Sequence, residues 1–355
     1  MRILINGNMG YIGPVLVKHL REVFPDVELI GFDSGFFSGC LVDKQFFPEA
    51  YLDRQYFGDV RKFPPDILKG VDAVVQLAAV SNDPMGKAFE KPTAEINREA
   101  VVRIAKLAKD AKVGHFVFAS SCSVYGAGGE GAKSESASLN PLTAYARSKV
   151  GCESGLASLA GPDFLVTSLR FATACGMSPR LRLDLVLNDF VAGAIASGEI
   201  TILSDGTPWR PLIHVEDMAR AIEWACTRSA EQGGPNLIVN TGSNHWNFQV
   251  RDLAYAVQEE LGNVDVKINT NASPDKRSYK VDFSYFQSLA PAHYPQVSLS
   301  EAVRGLAEGL SEAGFHDPDF RNSDYIRLKV LNDLKAKGRI TENLDWAKQP
   351  LIPVA

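Results

Sequence analysis

The N-terminal residues 2–13, Arg-Ile-Leu-Ile-Asn-Gly-Asn-Met-Gly-Tyr-Ile-Gly, leave few folds open to this chain. The apolar run 3–5 predicts a buried strand, which breaks into Gly7, Gly10 and Gly13 before a helix-like segment over 14–23. Gly7 permits a tight turn and Gly10 lets a phosphate approach the backbone. Gly13 lets the new helix pack on the sheet with its first amides facing the phosphates. A second strand over 27–32 leads into Asp33, a carboxylate suited to the hydroxyls of an adenosine ribose and hostile to a 2'-phosphate. A plain turn would account for three glycines alone. The strand before, the helix after and the acid favour a dinucleotide site with NAD preferred to NADP, and with Gly7, Gly10, Tyr11, Ile12 and Gly13 as its cradle.

Charge and composition exclude several other functions. The formal net charge of the 355 residues is -5 and the charges are interspersed, so no basic block is available to neutralise a nucleic-acid backbone. No apolar run approaches membrane-spanning length, and a strand starting at residue 2 leaves no room for a signal segment, which predicts a cytoplasmic protein without a membrane partner. Five cysteines without paired ligand spacing predict a reducing compartment and no metal site.

Helix and strand patterns alternate through the first half, which predicts an α/β fold of the Rossmann type: a doubly wound parallel sheet carrying a smaller α/β substrate-binding domain. The expected division is residues 1–175 for the dinucleotide domain, with about 210–245 returning to it, and 176–315 for an interleaved substrate domain. Residues 316–355 form a C-terminal helical extension, read as packing or an oligomer contact. A third strand ends near Asp59 and Val60, with Asp59 placed to meet an adenine amino group. A fourth, over 73–79, ends in Leu77, Ala78 and Ala79, small enough to lie beside a cofactor, with Ser81 facing substrate. A strand over 115–119 runs into Ser120-Ser-Cys-Ser-Val-Tyr-Gly126, followed by a glycine-rich loop over 127–140. Helices are expected over 97–109 and from Tyr145. On the latter, Tyr145 and Lys149 share a face, so an ammonium one turn away would favour the phenolate and let the pair move a proton to or from an alcohol. Cys122 reads as a small core residue more than as a nucleophile, and His214 as structural. Arg180 and Arg182 either contact substrate or lie in a solvated loop.

Taken together, Gly7-x-x-Gly10-x-x-Gly13, Asp33, Asp59, Leu77-Ala-Ala, Ser-Ser-x-Ser-Val-Tyr-Gly126 and Tyr145-x-x-x-Lys149 resemble the extended short-chain dehydrogenase/reductases, in the nucleotide-sugar epimerase/dehydratase branch, over roughly residues 1–310. The resemblance implies an NAD enzyme acting on a nucleoside-diphosphate sugar, with catalytic Ser121, Tyr145 and Lys149 and a substrate-facing Ser123. It also implies a diphosphate contact at Arg210, nucleotide contacts at Asn188, Asp275 and Arg277, and a homodimer seam on the helices 97–109 and 145–158. The 4,6-dehydratases of the branch carry Asp-Glu directly after the catalytic hydroxyl residue, where this chain has Cys122-Ser123. Dehydration is thereby disfavoured, and the expected reaction is 4-epimerisation of a hexose through transient oxidation to a keto sugar. An asparagine common in the epimerases is Thr173 here, a substrate contact that leaves sugar orientation open. A sugar dehydrogenase or ketoreductase is the alternative, and a non-catalytic NAD-binding regulator would have no need of the Ser-Tyr-Lys set.

Overall fold

Uninterrupted apolar runs make strands that are covered on both faces, and the first half of this chain supplies them repeatedly. The computed structural model of the chain describes residues 1–272 and 277–347. In order come β1 (Arg2–Asn6), α1 (Gly13–Val23), β2 (Glu28–Asp33), β3 (Arg54–Phe57), β4 (Ala73–Gln76), α2 (Asp83–Ala88), α3 (Glu90–Ala94), α4 (Val101–Asp110), β5 (His115–Ser121), β6 (Ala127–Lys133), α5 (Ala144–Ala157) and β7 (Leu165–Phe171). The second half adds β8 (Thr173–Cys175), α6 (Val186–Ser197), β9 (Glu199–Ile202), β10 (Trp209–His214), α7 (Val215–Thr227), β11 (Asn236–Thr241), β12 (Asn247–Gln249), α8 (Val250–Leu261), β13 (Asp265–Ile268), β14 (Ser278–Val281), α9 (Ser284–Leu289), α10 (Leu299–Glu312) and α11 (Arg327–Ala336).

Seven strands form one sheet in the order β11-β7-β5-β4-β1-β2-β3, and every pairing is parallel. The order reverses between β1 and β4, which opens a crevice at their C-terminal ends. Alternation along β1 feeds two cores. Ile3 and Ile5 pack with α1 and α7 on one face, and Leu4 packs with α4 and α5 on the other. The doubly wound sheet is thus the one expected from the sequence. A third apolar cluster joins α6, α8 and α10 around Leu187, Val191, Leu253 and Leu306, beyond the strand ends. It carries the small sheets β12-β10-β8 and β13-β9.

Two local expectations change. Residues 127–133, expected as loop, form β6, because Ser278 to Val281 arrive from far along the chain to pair with them. The helix expected from Asn97 is a π-helical turn, Glu95–Ala100, before α4 begins, and that turn aims the Asn97 amide inward. Its Oδ1 accepts from the Val80 N–H at 2.8 Å, and its Nδ2 donates to the Val80 carbonyl at 3.0 Å and to Ser148 Oγ at 3.2 Å. The end of β4 is thereby tied to α5. Among the described residues, no helix is long and apolar enough to cross a membrane and no group of side chains is arranged to hold a metal.

Candidate active site

The strand ends, not the helices, bring the first half of the site together. Gly7 turns with φ of 85°, and a Cβ there would lie 2.4 Å from the Ala78 backbone nitrogen, so only glycine lets the ends of β1 and β4 meet this closely. A Cβ on Gly13 would lie 2.0 Å from the Asn8 carbonyl oxygen, which holds the start of α1 against the turn. No side chain caps α1, so its first amides are left for a ligand anion. At the end of β2, Asp33 accepts from the Met9 N–H at 3.1 Å and the Gly35 N–H at 2.7 Å. Burial pushes its carboxyl above the usual range against the pull of those amides. Asp59 accepts from the Arg61 N–H at 2.8 Å and pairs with the Arg61 guanidinium at 2.7 Å.

Gly7, Asp33 and Asp59 border one cavity of about 820 Å³, together with Gly10, Tyr11, Ile12, Val60, Leu77, Ala78 and Ala79, while Gly13 packs behind them. That is the upper end of the range for small-molecule sites. An uncapped helix start, a glycine turn and two fixed carboxylates are a donor and acceptor set that fits a dinucleotide.

Across the cavity, β5 ends at Ser121 and α5 begins under a Thr143 cap, with the Ala146 N–H donating to Thr143 Oγ1 at 3.1 Å. This puts Ser121, Tyr145 and Lys149 on the same wall. Burial pushes the Tyr145 phenol up to about 12; the Ser121 hydrogen bond and the Arg182 charge oppose that rise, and Asp83 adds to it. The Arg182 guanidinium adds positive charge near the phenol, and the Lys149 ammonium lies 5.4 Å from the centre of the Tyr145 ring. The Lys149 ammonium donates to the Ala119 carbonyl at 2.6 Å and lies over the Phe118 ring at 4.6 Å. Burial brings its own pKa down to about 8. Ser123 also faces the cavity, its buried Oγ without a partner among the described residues. Cys122 points the other way, its Sγ donating to the Arg170 carbonyl in the core, and His214 accepts from the Glu216 N–H at the start of α7.

The remaining expected contacts divide. Ser81, Thr173, Arg182, Arg210 and Arg277 lie on the cavity wall. Arg182 donates to both Asp184 oxygens, at 2.9 and 2.8 Å, and to Ser81 Oγ at 3.1 Å. Burial works against the Asp184 charge, but Arg182 holds its carboxyl below the usual range. Arg277 pairs with Asp83 at 2.7 Å, and Arg210 donates to the carbonyls of Trp209 and Arg277. Two expectations are not met. Asn188 is fully buried behind the wall, spending its amide on the Gly176 N–H, the Tyr11 hydroxyl and the Arg182 carbonyl. Arg180 is also buried away from the cavity, in a two-pronged pair with Glu49 at 2.6 and 3.0 Å. Asp275 lies outside the described residues. Sequence reading missed Asp83, Asp184 and Asn97. Asp83 opens α2, Asp184 lies in a loop and Asn97 lies within the π-helical turn, and no spacing in the sequence marks any of them.

A model of the NAD dependent epimerase/dehydratase family matches residues 3–242. The uncharacterized UDP-glucose epimerase YtcB of Bacillus subtilis is 30% identical over 250 residues, 68% of this chain and 75% of that protein. A UDP-glucose 4-epimerase of Streptomyces lividans is 27% identical, with 74% and 81% of the two chains covered. Among solved structures, the dTDP-glucose 4,6-dehydratase DesIV of Streptomyces venezuelae, crystallised with NAD, superposes with a TM-score of 0.72 at 26% identity over 90% of this chain and 99% of its own.

Proposed function

The chain belongs to the NAD-dependent epimerase/dehydratase family, and from that premise we propose that it 4-epimerises a nucleoside-diphosphate hexose through a transient 4-keto sugar. The observation that carries the reading is the gathering of Ser121, Tyr145 and Lys149 opposite a glycine cradle, in one cavity. Gly7, Gly10, Tyr11, Ile12, Asp33, Asp59 and Val60 would hold NAD, and bound NAD supplies the uptake and return of one hydride at a sugar carbon. Tyr145, as its phenolate, takes the proton of the sugar hydroxyl as the carbonyl forms and gives it back when the alcohol is restored. Ser121 bonds the same oxygen and steadies the phenol, while Lys149 anchors ribose. Arg210 and Arg277 reach the diphosphate, and Ser81, Ser123, Thr173 and Arg182 face the sugar.

Epimerisation is favoured over dehydration by the residues after Ser121. A 4,6-dehydration needs an acid and a base beyond the first oxidation. Cys122 is turned into the core with its thiol pKa raised by burial, and Ser123 is a hydroxyl. We assign residues 1–175, with α7 and β11, to the dinucleotide domain and most of 176–315 to the substrate domain. Five buried free thiols favour the reducing cytoplasm. By family resemblance we place a homodimer seam on α4 and α5, which a monomer in light scattering would refute.

The deciding experiment denatures the purified protein and weighs any released nucleotide, then follows UDP-glucose and UDP-galactose by proton NMR. Stoichiometric NAD with interconversion supports the reading. Net NADH accumulation with a keto product moves the assignment to a dehydrogenase.

A further inference from the structure

The geometry points to the C-terminal segment 320–347 as part of the dinucleotide site, forming the outer wall of its adenosine end; this rests on the reading of the cavity as an NAD site. Leu331 on α11 and Leu344 beyond it line the cavity, each 2% exposed, in the same apolar cluster as Phe32 and Val60. The two acids read as adenosine contacts are both tied to this segment. Arg61, the partner of Asp59, donates onward to the carbonyls of Asn343 at 2.8 Å and Leu344 at 3.2 Å. Ser34, next to Asp33, accepts from the Trp346 indole N–H at 2.7 Å, and the Trp346 ring packs on Phe36 with centroids 5.1 Å apart.

The backbone adds an independent sign. Leu344 has φ of 55°, a left-handed conformation that a bulky residue holds only when its surroundings impose it. The Arg61 bond to its carbonyl and the bond from its own N–H to the Thr341 carbonyl, at 3.0 Å, do so, and they hold Leu344 at the border of the cavity. With this wall in place, adenosine in the cradle is bounded by strand ends on one side and by residues 331–346 on the other. Release then requires the segment to lift, which suits an enzyme that keeps its cofactor through every turnover.

The test uses NAD-loaded full-length protein and two variants whose changed side chains lie off the cavity wall. In the double variant Asp345→Ala/Trp346→Ala, NAD release into a scavenging NAD glycohydrolase is expected to be about tenfold faster than in wild type, equivalent to the loss of one good set of contacts. Trp346→Phe keeps the ring contact, loses the indole bond and should fall between; it decides the matter if the double variant does not fold. In wild type, NAD should slow hydrogen exchange of the amides at 340–346. Release at the wild-type rate from the folded variants, or amides indifferent to NAD, overturns the wall. A wild-type protein that neither carries nor takes up NAD overturns the functional reading itself and this inference with it, before any variant is made.

Discussion

The two halves of the cavity are made of different material. On the glycine-turn side the wall is backbone: Gly7 against Ala78, Gly13 against Asn8, and amides fixing Asp33. On the arginine side it is paired charges, Arg182 with its near neighbour Asp184 and Arg277 with Asp83 from far back in the chain. A backbone wall depends on positions that admit one residue, whereas a wall of paired side chains depends on both partners being present. The first should fail at single positions without rescue, and the second should tolerate coordinated replacement.

Tyr145 stands at the seam, and its loss should have the largest effect. Tyr145→Phe is expected to lower turnover roughly 10³-fold, about 4 kcal/mol of barrier, while NAD content and melting temperature stay near wild type. Turnover within tenfold of wild type would remove Tyr145 from the chemistry. The Arg182–Asp184 pair gives the next largest effect. Asp184→Asn leaves a buried guanidinium half-satisfied and should cost about 3 kcal/mol in urea unfolding, whereas Arg182→Met with Asp184→Leu should recover most of that. If the double variant is as unstable as the single one, the contrast between the two walls fails.

Lys149 tests the seam by pH. Its folded pKa is depressed from 10.5 to about 8, so between those values the unfolded chain binds a proton that the folded chain does not. Stability therefore climbs with pH through that window, by about 3 kcal/mol for the full shift. Lys149→Met should remove this slope, so that wild type gains on the variant in urea unfolding from pH 8 to pH 10. Parallel curves would mean that the ammonium is not desolvated.

The same contrast explains what could be read from the sequence. Glycine spacing reports backbone demands that no other residue meets, so the order of β1, α1 and β2, the cradle and Asp33 were legible. Tyr145 and Lys149 were legible as a pair because four residues make one helical turn. Their surroundings were not: Arg182, which only the fold brings near, adds a second positive charge by Tyr145, and Lys149, 5.4 Å from the Tyr145 ring, also donates to a carbonyl on β5. Asn188 and Arg180 carry the residue types of ligand contacts, yet the fold uses them as internal clamps. β6 was hidden for a similar reason, since its partner lies far along the chain.

The smallest expected effect probes the glycine-turn wall by charge alone. Asp33→Asn keeps the shape and one acceptor for the Met9 or Gly35 amide but removes the negative charge. NAD should bind about tenfold more weakly, and the preference for NAD over NADP should narrow, because the repulsion of a 2'-phosphate is gone. The wild type adds a pH signature. Burial raises the Asp33 carboxyl above its ordinary range, and only its ionised form accepts from both ribose hydroxyls, so NAD affinity should fall as pH drops through that raised pKa. The variant has nothing to titrate there and should stay flat over the same descent in calorimetric titrations. An unchanged ratio of NAD to NADP affinity in the variant would show that the charge of Asp33 does not set the preference, leaving the shape of the turn to do so.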